Sequence, residues 1–214
     1  PDLHIPMELF IVTAASFVAG FVDAIVGGGG LVLVPAMFAT FPNAHPATLF
    51  GVNKSASMWG TAAAAWQFSR RVRLPWASLF PSVVLAQLGS FIGAWLVTEV
   101  SPDLFRKALP VVLLGVLVYT VVKKDMGRTH SPRHNAVTER RIMCALGLVI
   151  GFYDGFFGPG TGSFLVFAMV RWLGFDFLHA SASAKVLNLA SNMAALTLFI
   201  STGHIWWHLV AFIA

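Results

Sequence analysis

Gly20-Phe21-Val22-Asp23-Ala24-Ile25-Val26-Gly27-Gly28-Gly29-Gly30-Leu31-Val32-Leu33-Val34-Pro35 sets one carboxylate and a run of four glycines inside a long apolar segment. Glycine costs about 1 kcal/mol per residue in a helix interior relative to alanine, so the segment reads as a helix that breaks at Gly27 and resumes at Leu31. Adding 131 to each number leads to Gly151-Phe152-Tyr153-Asp154-Gly155-Phe156-Phe157-Gly158-Pro159-Gly160-Thr161-Gly162-Ser163. Asp23 returns as Asp154, and Gly27 and Gly29 return as Gly158 and Gly160. A chain that repeats its own helix breaker is built from two halves.

The rest of the composition says where such halves live. Of the 214 residues, 57% are hydrophobic and 11% charged, and the mean hydropathy is +0.77; an average soluble domain carries about 25% charged residues. This is the composition of a membrane protein. The formal net charge of +5 does not imply a nucleic-acid partner, because the bases sit between apolar blocks, at Arg70, Arg71, Arg73 and across 123–141. The single cysteine, Cys144, excludes an internal disulfide and a cysteine-cluster metal site. No cofactor is expected.

Taken in order, residues 9–26 reach about 27 Å as a helix, nearly enough to span a bilayer. The glycine break follows, then an apolar run to residue 41. Further spans are expected at 48–68, at 76–100 with a Gly89-x-x-x-Gly93 close-packing motif, and at 104–122. Residues 123–141 read as a basic linker between a first membrane half, 1–122, and a second, 142–214. In the second half, 142–157, the break at 158–162 and 163–173 copy the first broken segment, 179–200 copies the next span, and 206–214 begins a third. The copy of the fourth is missing, so the sequence is expected to fall short of its last one or two membrane segments.

Lys and Arg are retained in cytoplasmic loops, which puts the Arg70–Arg73 loop and the linker inside. The N-terminal stretch, with Asp2 and Glu8, belongs outside. The loop that copies 70–73 is Ser201-Thr202-Gly203-His204; it has no Lys or Arg and also belongs outside. The two halves then face opposite ways. The expected fold is all-α and polytopic, with two inverted-topology repeats, each carrying a re-entrant glycine-broken helix. Arg106 and Lys107 near an outer loop argue mildly against this orientation.

Broken helices at membrane depth are tolerated only where protein or water satisfies the backbone, and a glycine-lined helix N-terminus offers free amides to an anion. Gly27, Gly28, Gly29 and Gly30, with Gly158, Gly160 and Gly162, are therefore candidate anion-binding backbone, together with Thr161. Close helix packing is the plainer reading of the same glycines. A dinucleotide loop fails on context, since no acid follows about 20 residues later to hold a ribose. Lys54 and Lys185 are one repeat apart, and a lysine inside a membrane span is by default a functional hypothesis. On a helix, positions i, i+3 and i+7 share a face. That face reads Lys54-Ser57-Thr61 in one half and Lys185-Asn188-Asn192 in the other; the alternative is that each lysine snorkels to the headgroups. Asp23 and Asp154 admit three roles: ion-pair partners of the lysines, caps of the break, or proton-coupling groups. His130 and His134 flank Pro132 in a basic loop and read as solvated, Trp76 and Trp207 as interface anchors, and His45 and His179 as loop histidines near a vestibule.

The Gly-x-x-Asp-x-x-x-Gly-Gly-Gly-Gly-x-x-x-x-Pro segment, its second copy ahead of a span carrying Lys185, and the overall repeat resemble the sulfite exporter (TauE/SafE) family of membrane permeases. The resemblance implies a prokaryotic inner-membrane protein that moves sulfite, sulfonates such as sulfoacetate, or related small organic anions. The second motif departs from it through Pro159 and Thr161 and has Val166 where the first has Pro35. The expectation is a secondary transporter, exporting a small anion across the cytoplasmic membrane, with an anion channel as the alternative. An enzyme is not expected: Ser163 is the best nucleophile on offer, and no histidine stands at motif spacing to activate it.

Overall fold

The computed structural model describes residues 7–26, 28–122 and 131–213; Gly27, His130 and the first part of the expected linker lie outside them. The described residues form helices and turns, without strands. They are α1 (Met7–Val26), α2 (Gly30–Thr40), α3 (Pro46–Ser69), α4 (Trp76–Glu99), α5 (Pro102–Val122), α6 (Ala136–Phe156), α7 (Thr161–Ala168), α8 (Phe177–Ser201) and α9 (Trp207–Ile213). A π-helical turn, Met169–Leu173, extends α7. Two of these, α4 and α8, are long and apolar enough by themselves to cross a bilayer.

The helix starts follow local chemistry. Pro46 begins α3 behind His45, whose Nδ1 accepts from the Ala47 amide. Asn135 caps α6 and Asp176 caps α8, each accepting an amide three residues on. The Asn135 cap starts α6 six residues inside the stretch expected to be linker, because Glu139 to Arg141 are good helix formers and their charge does not end a helix.

Each glycine break packs against the helix that precedes it. Gly29 lies against Ala19 and Asp23 on the side of α1, so closely that a Cβ there would meet the Ala19 carbonyl oxygen at 2.5 Å. In the second break the Tyr153 hydroxyl donates to the Pro159 carbonyl at 2.6 Å, and Gly158 and Gly160 take φ of +86° and +83°. The left-handed region is nearly closed to residues with a Cβ, so these two glycines are required for the turn.

The halves interlock. The start of α3 lies beside the end of α8, where Gly51 abuts the His204 carbonyl and Phe199. At the other end of the bundle, Arg73 and Pro75, just past α3, share a crevice with His179 at the start of α8. The two central helices are therefore antiparallel. Gly89 and Gly93 of α4 abut the Leu148 and Phe152 carbonyls of α6, as a Gly-x-x-x-Gly surface does. Ser16 donates to the Ile213 carbonyl; at the 131-residue offset these two correspond to Gly147 and Ser82, and Gly147 abuts the Ser82 carbonyl. Helix α1 thus meets α9 as α6 meets α4. Large apolar side chains, among them Phe17, Phe80, Trp95, Val111 and Val149, face outward. Such a surface is suited to hydrocarbon.

Candidate functional site

Four charges sit among these helices, and they pair across the halves. Lys54 Nζ lies 2.6 Å from Asp154 Oδ1, and Lys185 Nζ lies 2.8 Å from Asp23 Oδ2. Each lysine meets the aspartate of the opposite repeat, so the two bonds are the same bond under the internal 131-residue correspondence. They are not equally dry. The Lys54 and Asp154 side chains are 2% and 1% exposed, those of Lys185 and Asp23 9% and 26%. Both lysines point into protein, which removes the snorkelling alternative. Asp23 is also a weak cap, accepting from the Gly29 amide at 3.4 Å. Asp154 accepts from Thr161 Oγ1 at 2.8 Å and Ser191 Oγ at 2.6 Å.

Around these pairs the two breaks converge. A Cβ on Gly30 would stand 3.2 Å from Pro159 Cα. A cavity between them is lined by Asp23, Gly30, Asn53, Lys54, Ser57, Thr61, Asp154, Gly158, Gly160, Thr161, Gly162, Asn188 and Asn192. Its volume is about 20 Å³, close to the space one water needs. Two polar atoms on its wall, Asn53 Oδ1 and Thr61 Oγ1, are buried without a protein hydrogen-bond partner. Buried polar atoms are nearly always satisfied, so this wall is made to meet water or a polar solute. A groove of about 640 Å³ between α1 and α3 adjoins the cavity, sharing Asp23, Asn53 and Ser57, and takes in Gly29 and Lys185.

Most of the expected site residues therefore gather at one place. Gly29 and Lys185 stand at its edge in the groove, and Gly28 is buried in the first break outside both linings. Gly27 lies outside the described residues. One expectation changes: the α2 terminus does not offer four open amides, because the Leu31 and Val32 amides bind the Gly28 and Gly29 carbonyls in tight turns. Sequence reading missed Asn53 and Ser191. Both were findable, since Asn53 stands four residues before Ser57 and Ser191 three after Asn188, on the polar faces already picked out.

Among the described residues, His45, His134, His179 and His204 make defined contacts. His45 lies against His204, ring centroids 5.0 Å apart and tilted by 46°, beside Arg106, which donates to the Ala44 carbonyl. Burial, then the neighbouring His204 and Arg106, lower the His45 pKa below its ordinary value. His179 bonds the Asp176 carboxylate at 2.8 Å. His134 is not merely solvated, for its Nε2 lies 3.0 Å from the Trp172 carbonyl. Trp76 and Trp207 project outward, as interface anchors do. No cluster of metal-ligating side chains occurs among the described residues.

Two convergent glycine breaks, each followed by a lysine-bearing helix, form the pattern that decides the family. Residues 12–214 match the family model described as Sulfite exporter TauE/SafE. The chain belongs to this family. A protein of Sinorhizobium sp named Probable membrane transporter protein ORF9 is 37% identical over 207 residues, covering 96% of this chain and 77% of the relative. A Probable membrane transporter protein of Haemophilus influenzae is 36% identical over 199 residues, 93% and 76% of the two chains. YfcA of Escherichia coli strain K12, with the same description, is 34% identical over 202 residues, 94% and 74%. No solved structure matches. The TauE/SafE assignment locates the chain in a membrane and among transporters.

Proposed function

We propose that this TauE/SafE chain is a multi-pass secondary transporter of the cytoplasmic membrane that exports a small anion, such as sulfite, a sulfonate like sulfoacetate, or a related organic anion. The observation that carries the reading is the cavity between the glycine breaks, with two crossed lysine–aspartate pairs and the unpartnered polar atoms of Asn53 and Thr61 on its wall. Repeats that are inverted in the membrane, with binding near the midplane, suit this geometry. The antiparallel α3 and α8 and the two glycine breaks support inversion. Charge favours the orientation, since Arg73, Arg133 and Arg171 lie at the end of the bundle where α8 starts, against Arg106 beside the loops of His45 and His204 at the other. The basic end would face the cytoplasm.

Gly30, Gly158, Gly160 and Gly162 would let the anion approach backbone, while Ser57, Thr61, Asn188 and Asn192 would line its path. Lys54 and Lys185 would supply the positive charge, and Asp23 and Asp154 would hold that charge in reserve. The four charges sum to zero, so net attraction for an anion would come from the backbone amides or from an aspartate that is protonated in one state of the cycle. The second route links binding to a proton.

The test is sulfite and sulfoacetate flux in proteoliposomes, with and without an imposed pH gradient. A gradient should drive flux, and Asp154→Asn and Asp23→Asn should retain binding while losing pH dependence. Flux that is indifferent to the gradient, or unchanged pH dependence in both variants, would sink the coupling. Intact flux in Lys54→Ala/Lys185→Ala would sink the site.

A further inference from the structure

Apart from the glycine breaks, a second cluster of polar side chains is assembled at the basic end of the bundle. Residues 131–134 dock on 171–174. The Ser131 amide donates to the Gly174 carbonyl at 2.9 Å and the Arg133 amide to the Leu173 carbonyl at 3.1 Å. Arg133 Nη1 donates to the Arg171 carbonyl at 3.1 Å, and His134 Nε2 meets the Trp172 carbonyl. Gly174 has φ +76°, and any Cβ there would collide with the Ser131 carbonyl, so the docking depends on a glycine. These bonds set Arg133 and Arg171 side by side in the lining of an outward-facing groove.

The groove has a volume of about 730 Å³, and its lining includes Arg133, Arg171 and Trp172 at one end and Ile142 and Val149 along α6, with no carboxylate. Trp172 is 55% exposed and Val149 65%. An indole at the polar border, arginines above it and an apolar trough below match the layered chemistry of a lipid: phosphate at the arginines, acyl chain in the trough. We propose that this groove binds an anionic phospholipid, its phosphate held between Arg133 and Arg171 and one acyl chain laid along α6. Basic pockets at the cytoplasmic border are suited to such headgroups, with about 1 kcal/mol per arginine. The proposal rests on the membrane placement of the chain and not on which solute it carries.

The experiment titrates the purified protein in detergent with phosphatidylglycerol, phosphatidylcholine or inorganic phosphate, counting bound lipid by native mass spectrometry and following thermal stability. Phosphatidylglycerol should bind and stabilise, while the other two should not. Arg133→Gln/Arg171→Gln should weaken phosphatidylglycerol about 30-fold. Arg70→Gln/Arg71→Gln removes the same charge outside the groove and should leave binding within about threefold. Val149→Trp fills the trough with both guanidinium groups intact and should also weaken binding; it decides the matter if the double arginine variant does not fold. Equal binding of the two lipids would overturn the proposal. So would equal loss in the two arginine pairs, stabilisation by phosphate alone, or full phosphatidylglycerol binding in Val149→Trp. Anion flux is measured separately in each variant, because none of these residues lines the central cavity.

Discussion

Replacing Lys54 by methionine should destabilise the protein far more than the same change at Lys185, although the two lysines are repeat counterparts. Lys54→Met leaves the Asp154 carboxylate, 1% exposed, without a cation and with only the Thr161 and Ser191 hydroxyls for company. Removing one partner of a buried pair costs about 3–5 kcal/mol. Asp23 is 26% exposed and borders an open groove, so water can take over from Lys185; a pair of that kind contributes about 1 kcal/mol. The difference, about 2–4 kcal/mol, corresponds to about 4–16 °C in Tm at about 2–4 °C per kcal/mol for a chain of this size. Thermal unfolding of the purified protein in detergent, followed by tryptophan fluorescence, reads it directly. Lys54→Met/Asp154→Asn should recover at least half of the single-variant loss, because asparagine carries no charge, keeps an oxygen to accept from one hydroxyl and offers its NH2 to the oxygen of the other. Equal Tm losses for the two lysine variants, or strict additivity in the double variant, would refute the argument that burial sets the strength of these pairs.

Asp23→Asn leaves Lys185 uncompensated and raises the charge at the groove by one. An anion about 6–10 Å away gains about 2–3 kcal/mol at an effective dielectric near 20, so sulfite affinity measured by calorimetry should rise tenfold or more; a weaker complex would contradict it. Glycines of the same helical kind should behave in opposite ways. Gly155→Ala drives a methyl group into the Ser90 carbonyl and should cost at least about 1–3 kcal/mol, whereas Gly115→Ala meets open space and should gain about 0.5–1 kcal/mol, both read as Tm. His45 has a lowered pKa in the folded protein, so the unfolded chain takes up a proton first as pH falls. Stability should hold above the unfolded value near 6.5 and decline as pH drops from there through the lowered folded value. His45→Asn, which keeps a capping side chain, should flatten that decline in melts recorded between pH 7.5 and 5.

The breaks, the small-residue seam of α4 and the polar faces of α3 and α8 could be read in advance because each is a local signal. Gly89 and Gly93 need only a four-residue spacing, and Lys54-Ser57-Thr61 only the helical repeat. Which aspartate meets which lysine could not be read, since Asp23 and Asp154 are equally available to either lysine until the halves interlock. The tight turn that occupies the Leu31 and Val32 amides was also hidden, because a glycine run permits several backbone paths and packing against Ala19 selects one.

The crossed pairing also constrains how the protein can be made. Asp154 follows Lys54 by 100 residues, and at about 5–20 residues per second the ribosome needs roughly 5–20 s to deliver it. Over that interval the nascent first half holds an ammonium with no permanent counterion, so it must linger in the wet interior of the insertion machinery or borrow Asp23. Where Asp23 does not serve, release into lipid awaits the second half, and a chain stalled between the two should be a preferred target for membrane proteases.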